Sequence, residues 1–290
     1  MKLNHKTKIN TSARHGFSLI ELMIVIVIIA ILMALILPAL NRVLGRGDTV
    51  AVSAEFTQLD QALTSFKAKF GDYPPSYLKI PSVPVSGTPV WDPKSRAAVK
   101  AIWPQFDFNT NGGLNTPVDI FLNGAECMVF FLGGLENGDI TSPVVAGFSK
   151  NPLSPWTVSE NADGPFMEFD LSRMMDADGD KLFEYKDAFP DQSGPILYLS
   201  GSGGRYNKDN DPAAPDDYDV FALTDPRNMT SCYRQADDKT PQRNDSFQLI
   251  SPGPDGQYGA GGGYTTGQAL PANRKDEADN ITNFSGGPLN

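Results

Sequence analysis

A long apolar run near the N-terminus is the most pronounced pattern of hydrophobic positions in the sequence. Residues 17–37 carry a single charged side chain, that of Glu21. A helix needs about 20 apolar residues to cross the hydrocarbon core of a bilayer, so this run is long enough to span a membrane. The residues before it include lysine and arginine but no acidic residue. This asymmetry predicts that the N-terminus stays in the cytoplasm and that the chain beyond the run is exported.

Beyond the run, apolar residues recur at the spacing of a helix. Polar and charged residues occupy the positions between them, so the pattern predicts an amphipathic helix with one apolar face. Gly71, Pro74 and Pro75 predict where this helix ends. We therefore expect a stalk helix over residues 17–70, of which residues 17–37 form the transmembrane half. The apolar face consists of Val52, Phe56, Leu59, Leu63, Phe66 and Phe70.

The remainder of the chain, residues 71–290, predicts one α+β domain. Turn-forming residues dominate residues 72–120 apart from a short helix near residues 94–103, and the apolar stretch at residues 121–135 predicts another helix. Short β-rich runs bounded by turn residues are typical of antiparallel strands. We therefore expect an α+β fold in which the long N-terminal helix packs on a small antiparallel sheet with long loops. The β-rich runs are residues 196–199, 219–223 and 247–250.

The charge and the histidine content limit the chemistry of the chain. The formal net charge is −10, which argues against nucleic acid as a direct partner because phosphate binding needs a basic surface. Both histidines, His5 and His15, precede the apolar run. If the segment before the run is removed, neither a Ser-His or Cys-His nucleophile nor a His-ligated zinc site can form. We therefore do not expect an enzyme.

The two cysteines leave two states open. Cys127 lies in an apolar stretch, which favours a buried thiol. An oxidising compartment beyond the membrane would instead allow a disulfide between Cys127 and Cys232.

The start of the apolar run resembles a known processing signal. The segment Gly-Phe-Ser-Leu-Ile-Glu at residues 16–21, followed by apolar residues, is similar to the class III signal of type IV pilins and of type II secretion pseudopilins. The resemblance covers residues 14–40. It implies that a prepilin peptidase cleaves between Gly16 and Phe17, removes the leader of residues 1–16 and methylates the new N-terminus at Phe17.

The same resemblance implies how the chain assembles. Glu21 would pair with the free amine of a neighbouring Phe17 as the helices bundle into a homo-oligomeric helical filament, because a charge in an apolar core is tolerated when it is paired. An inner-membrane assembly platform is the implied partner. The chain would cross the bacterial inner membrane once before assembly and form a periplasmic or extracellular filament afterwards. The alternatives are a plain membrane anchor or an ordinary secretory signal, but the latter is cut after its apolar run.

A C-terminal acidic segment resembles the calcium loop of the major pseudopilins. In that family a strand runs into Ser-x-Gly-x-Asp-Gly, which matches residues 251–256 here, and a later acidic segment closes the loop. The resemblance implies a Ca²⁺ site, and Ca²⁺ prefers about six to eight oxygen ligands. A Gly-rich insertion and Asn280 depart from the family pattern, so Glu277 could replace Asp276, and a solvated acidic turn is the alternative. The implied ligands are the carboxylates of Asp255, Asp276 and Asp279 and the backbone oxygens of Leu249 and Ser251.

A second acidic cluster has part of the spacing of an EF-hand loop. Asp176, Asp178 and Asp180 alternate, and Asp187 stands at the twelfth position of such a loop. However, Lys181 occupies the sixth position, where that loop needs glycine for a sharp turn. This cluster is the weaker candidate for Ca²⁺, and a plain surface turn is the alternative.

Together these patterns predict a structural filament subunit, most like the major pseudopilin of a type II secretion system. The alternative is a minor, tip-located pilin that binds a substrate or a surface. The exported domain is long for a major pseudopilin, and its loops at residues 72–120 and 201–245 could carry such a binding surface.

Overall fold

The chain forms two compact units in the structure, which is a computed structural model. The first unit is Met1–Gly47 and the second is Asp48–Asn290. The side chains of residues 37–46 lie outside the description. The described residues are 18–114, 116–134, 140–142, 146–157, 161–201, 221, 225–236 and 239–289.

A long helix, α1 (Leu19–Phe70), begins in the first unit and ends in the second. Its N-terminal part includes the 18-residue window Leu19–Ile36, which has a mean hydropathy of 3.3 and is not buried within the chain. That length and composition suit a membrane span. At the other end, Gly71 adopts a φ of 92° and donates its N–H to the carbonyl of Lys67 at 2.7 Å. A glycine in this left-handed conformation is a common way for a helix to end.

The amphipathic half of α1 forms part of the core of the second unit. The ring of Phe66 packs edge-on against Phe131 with the centroids 5.8 Å apart, and Phe70 packs in the same manner against Trp103 at 5.5 Å. Edge-to-face contacts of this kind add to the free energy gained from burying the rings. The apolar face of α1 includes the buried residues Val52, Phe56, Leu59, Leu63 and Phe66, and Phe70 is partly buried.

Two shorter helices follow, each with a polar cap at its N-terminus. Helix α2 (Pro93–Ile102) begins after Asp92, whose side chain accepts hydrogen bonds from two backbone N–H groups. Helix α3 (Gly124–Gly133) begins after Asn123, whose side chain likewise caps the first turn. Such caps satisfy backbone donors that have no partner inside the helix. Helix α3 starts later than the stretch 121–135 predicts, because the first of those residues belong to a strand.

The described strands are short and pair mostly in an antiparallel manner. In chain order they are β1 (Leu78–Ile80), β2 (Ile120–Leu122), β3 (Phe148–Ser149), β4 (Ala162–Asp163), β5 (Met174–Met175), β6 (Glu184–Tyr185), β7 (Leu197–Ser200), β8 (Tyr233–Arg234), β9 (Phe247–Ser251), β10 (Gly262–Gly263) and β11 (Ile281–Thr282). The three-stranded sheet has the order β11-β9-β7. Antiparallel pairs join β1 to β2, β3 to β4 and β5 to β6, whereas β8 and β10 are parallel. The predicted α+β fold with small antiparallel sheets and long loops is confirmed.

The central sheet contains two of the three predicted strands. Strands β7 and β9 pair directly, with Tyr198 opposite Leu249. Of residues 219–223, the structure describes only Phe221, so the predicted strand there lies outside the described residues. The third strand of the sheet is β11, whose two residues are too few to show the alternation that predicts a strand.

Two apolar clusters fill the interior of the second unit. The larger includes the apolar face of α1 and Cys127 on α3, and the smaller includes Cys232 with Tyr233 and Tyr258. Both cysteines are buried thiols in different clusters. This arrangement agrees with the buried-thiol alternative.

Candidate functional site

The described part of the chain begins at Ser18, directly after the predicted cleavage site. Gly16 and Phe17 lie outside the described residues. The N–H of Ser18 donates to Oε2 of Glu21 at 2.8 Å, and the N–H of Glu21 donates to Oγ of Ser18 at 3.2 Å. This reciprocal pair is a capping box, which satisfies two backbone donors at the start of α1. The Ser-x-x-Glu spacing is a sequence signal for this cap. Glu21 thus has a role within its own chain in addition to the assembly role that the resemblance implies.

The helix surface that follows Glu21 is apolar and exposed. The whole window Leu19–Ile36 lacks buried residues within the chain. Exposed apolar area of this extent is typical of surfaces that contact lipid or other protein chains. It is consistent with a membrane-anchored subunit.

The structure brings the three C-terminal aspartates near one another. The N–H of Asp255 donates to Oδ2 of Asp279 at 3.4 Å. Desolvation and the charge of Asp255 raise the pKa of Asp279 to about 6, and Asp276 adds to this effect. Desolvation also raises the pKa of Asp255, again with Asp276 contributing. The charge of Asp276 therefore makes ionisation of Asp255 and Asp279 less favourable, and Asp255 acts on Asp279 in the same way, as expected when like charges share a site.

The two predicted backbone ligands lie in β9, where the protein supplies partners of its own. The carbonyl of Leu249 accepts a hydrogen bond from the N–H of Asn283 at 3.2 Å. The hydroxyl of Ser251 donates to Oδ2 of Asp187 and accepts from the N–H of Gly253 at 3.1 Å. The carbonyl of Leu249 and the side chain of Ser251 thus have structural roles whether or not a cation is present.

Glu277, the alternative to Asp276, has other partners. It is fully buried, and Arg274 donates to both of its oxygens, from Nε at 2.8 Å and from Nη2 at 2.5 Å. The N–H groups of Ala260 and Gly261 also donate to Glu277. Bidentate arginine pairs of this kind are strong and geometrically specific. Glu277 therefore holds the Gly-rich insertion in place through hydrogen bonds, which leaves Asp276 as the ligand to test.

Three of the four residues of the second acidic cluster meet. Carboxylate oxygens of Asp176, Asp178 and Asp180 lie within 4.8 Å of one another. The turn between them is held by the N–H groups of Gly179 and Lys181, which donate to Asp176 at 2.8 and 3.1 Å. Lys181 adopts a φ of 76°. It therefore takes the left-handed conformation that the EF-hand loop normally assigns to glycine.

Asp187, the fourth predicted member, lies in a different environment. It is buried, and it accepts hydrogen bonds from Ser251, from the side-chain amide of Gln192 and from the N–H of Phe189. The Gln192 amide also donates to the carbonyl of Gly253 at 3.0 Å. Asp187 thus supports the loop after β9. It does not belong to the described groups of carboxylates that meet within 4.8 Å.

Two glutamates that the spacing does not predict lie near Asp178, where the spacing predicts Asp187. Oxygens of Glu126 and Glu184 lie within 4.8 Å of each other and of an oxygen of Asp178. Glu126 is 2% exposed and Glu184 is fully buried. Asn123-x-x-Glu126 is a capping box, so the position of Glu126 at the start of a helix could be predicted from the sequence. Its proximity to Glu184 could not.

Comparison with known proteins gives two matches. A model of the prokaryotic N-terminal methylation motif matches residues 11–37. Fimbrial protein Q of Moraxella bovis is 30% identical over 154 residues, which cover 52% of this chain and 88% of that protein. No solved structure matches the chain significantly. The methylation motif, the exposed apolar helix within it and a relative matched over most of its length assign this chain to the type IV pilin-like proteins, as a structural subunit.

Proposed function

We propose that this chain is the major subunit of a type IV pilin-like filament, most like the major pseudopilin of a type II secretion system. The observation that carries the proposal is the helix window Leu19–Ile36, which is entirely unburied within the chain and lies within the residues that match the methylation motif. In the inner membrane lipid would cover this surface, with the N-terminus in the cytoplasm. In the filament the same helices of neighbouring subunits would cover it, so we propose a structural and not an enzymatic role.

Processing would prepare the apolar helix to move from the membrane into the filament. A prepilin peptidase would cut between Gly16 and Phe17 and methylate Phe17, and an assembly platform in the inner membrane would then add the subunit to the filament. Before assembly, Glu21 accepts the N–H of Ser18 within its own chain. In the filament it would pair with the amine of a neighbouring Phe17, which offsets the cost of holding either charge in an apolar core.

We also propose that the C-terminal loop binds Ca²⁺ through Asp255, Asp276 and Asp279. The support is the hydrogen bond from the N–H of Asp255 to Asp279, together with the charges of Asp255 and Asp276, which raise the pKa of Asp279. A divalent cation would relieve this repulsion and stabilise the loop after β9.

A minor or tip-located pilin is the second candidate, and one observation favours it. The match to the relative from Moraxella bovis covers only 52% of this chain. The remaining chain would be available for binding a substrate or a surface. In this case the subunit would sit at the end of a filament built from another protein.

Imaging of filaments distinguishes the two candidates. Cells that express this chain as their sole pilin-like subunit, together with the peptidase and the platform, should produce filaments in which immunogold labels against the second unit lie along the whole length. Labels confined to filament ends in cells with the full set of pilins, and an absence of filaments when this chain is expressed alone, would favour the tip-located alternative.

A further inference from the structure

A buried group of carboxylates lies where α3 packs against β6. Glu126 on α3, Glu184 on β6 and Asp178 in the turn between β5 and β6 place one oxygen each within 4.8 Å of one another. Asp178 also belongs to the group formed with Asp176 and Asp180. The two groups therefore contain five carboxylates, and Asp178 is common to both.

The two glutamates each have one satisfied and one unsatisfied oxygen. Oε2 of Glu126 accepts the N–H of Asn123 at 2.7 Å, and Oε2 of Glu184 accepts the N–H of Ala177 at 3.0 Å. Oε1 of each glutamate is buried and has no hydrogen-bond partner within the described residues. A buried polar atom without a partner is costly, and a buried charge more so, unless it is paired or coordinates a metal.

The charges around Glu126 are of one sign. Burial raises its pKa well above the usual range, and Glu184, Asp180 and Asp178 raise it further. A cavity of about 20 Å³ is lined in part by Glu126, Leu122 and Leu182. A cavity of this size can hold one water molecule, which could complete the ligand shell of a cation.

We propose that Glu126, Glu184 and Asp178 form a Ca²⁺ site, completed by Asp176 and Asp180, that is separate from the C-terminal loop. Hard oxygen ligands of this number and charge suit Ca²⁺ better than Mg²⁺, which requires a stricter octahedron and retains most of its waters. The cation joins α3 to the strand pair β5 and β6. It differs from an EF-hand in drawing ligands from two distant segments, with Glu126 and Glu184 in place of Asp187. The site does not depend on the proposed function, since a subunit at any position in a filament could contain it.

The test uses the full-length chain in detergent micelles, stripped of metal with a chelator. Calcium binding is measured by isothermal titration calorimetry, and bound calcium is counted by mass spectrometry of the elements. The variant Glu126→Gln with Glu184→Gln keeps the shape of both side chains and removes both charges. Glu168→Gln is the matched control, because Glu168 does not belong to the described carboxylate groups. Asp255→Asn with Asp279→Asn reports on the C-terminal loop separately.

We expect the Glu126→Gln and Glu184→Gln variant to lose one bound Ca²⁺ per chain, while the Glu168→Gln and C-terminal variants retain that ion. In the native chain, free calcium at 100 times Kd should raise the melting temperature by about 5 °C or more, and the double glutamine variant should lose this increment. In chelator the double variant should melt higher than the native chain, because a repulsive buried pair is gone. Unchanged calcium stoichiometry in the double variant would overturn the proposal. So would a native chain that binds no calcium at millimolar concentration, which would mean that the glutamates are held protonated.

Discussion

The guanidinium Nη2 of Arg173 lies 2.5 Å from Oε1 of Glu55, and this ion pair connects the amphipathic half of α1 to the turn before β5. Glu55 is 7% exposed. Burial raises its pKa, whereas the hydrogen bond and the charge of Arg173 oppose that rise. Arg173 also donates to the carbonyl of Lys186 at 2.6 Å and lies over the ring of Tyr185. The pair thus fixes a charged position on an otherwise apolar helix face.

Removing the arginine should leave an uncompensated buried carboxylate. We expect Arg173→Met to lower the free energy of unfolding by about 3–5 kcal/mol, and Glu55→Gln in the same chain to recover most of this loss. The measurement is denaturant unfolding of the full-length chain in micelles. Recovery of less than a third by the double variant would mean that Arg173 acts mainly through Lys186 and Tyr185.

The same variant should acquire a pH dependence of known sign. Desolvation raises the pKa of Glu55, and Arg173 opposes that rise, so without Arg173 the folded-state pKa should rise further above its unfolded value. Stability from a raised pKa is fully present below the unfolded pKa and is lost as pH rises through the folded pKa. The deficit of Arg173→Met relative to the native chain should therefore be smaller near pH 4.5 than near pH 8. An equal deficit at both pH values would contradict this account of Glu55.

A close backbone approach at the end of α3 predicts a second effect on stability. Gly134 has a φ of 82°, and a Cβ added there would lie 2.4 Å from the backbone of Gly147. Gly71 has a similar φ of 92° but no atom within 4 Å of such a Cβ. Gly71→Ala should cost about 1–2 kcal/mol from the left-handed conformation alone, and Gly134→Ala clearly more. Equal melting temperatures for the two variants would show that Gly147 can move away.

The fold could be predicted where one pattern extends over many residues. The apolar face of α1 from Val52 to Phe70 follows from periodicity, because burial on one face selects apolar residues at fixed spacing. Strands β7 and β9 are buried at every position, and they could be predicted as short β-rich runs bounded by turn residues. Strand β11 is too short to carry such a pattern. Its position depends on pairing with β9, which is a tertiary contact.

In the acidic sites too, local patterns could be predicted from the sequence and tertiary contacts could not. The alternation of Asp176, Asp178 and Asp180 is local, and these residues do meet. Glu126 approaches Asp178 from helix α3, and this tertiary contact cannot be predicted from spacing along the chain. Spacing alone predicts Asp187 in the same cluster, but the hydrogen bond that it accepts from the hydroxyl of Ser251 holds it near the loop after β9.

Calcium should act on the C-terminal loop in a way that mutation can separate. We expect Asp255→Ala with Asp279→Ala to remove one component of the calcium-dependent rise in melting temperature and to leave the component that depends on Glu126. Lower calcium affinity should accompany the change, because two of the three proposed carboxylate ligands are lost. If the double variant responds to calcium as the native chain does, the loop is a solvated acidic turn.

Glu21 should be dispensable for insertion and necessary for assembly. Glu21→Leu should insert into the membrane more readily, since an acidic residue costs about 2.5–3.5 kcal/mol at the bilayer centre and less near a helix end. Few filaments should form, because the amine of a neighbouring Phe17 would lack its partner. Ser18→Ala is the control: it removes the hydroxyl of the capping box but retains the carboxylate. Normal filaments from Glu21→Leu, or an equal assembly defect in Ser18→Ala, would refute the pairing role.

Mass spectrometry of the N-terminus of the mature chain tests the central claim most directly. In cells with an active prepilin peptidase, the native chain should begin at Phe17 and carry an N-methyl group, so that the apolar window Leu19–Ile36 is retained. Gly16→Val should remain at the length of the precursor, because a branched side chain at the cleavage point obstructs the peptidase. A native mature chain that begins downstream of Leu37 would contradict a type IV pilin-like subunit, because the helix proposed to form the filament core would have been removed.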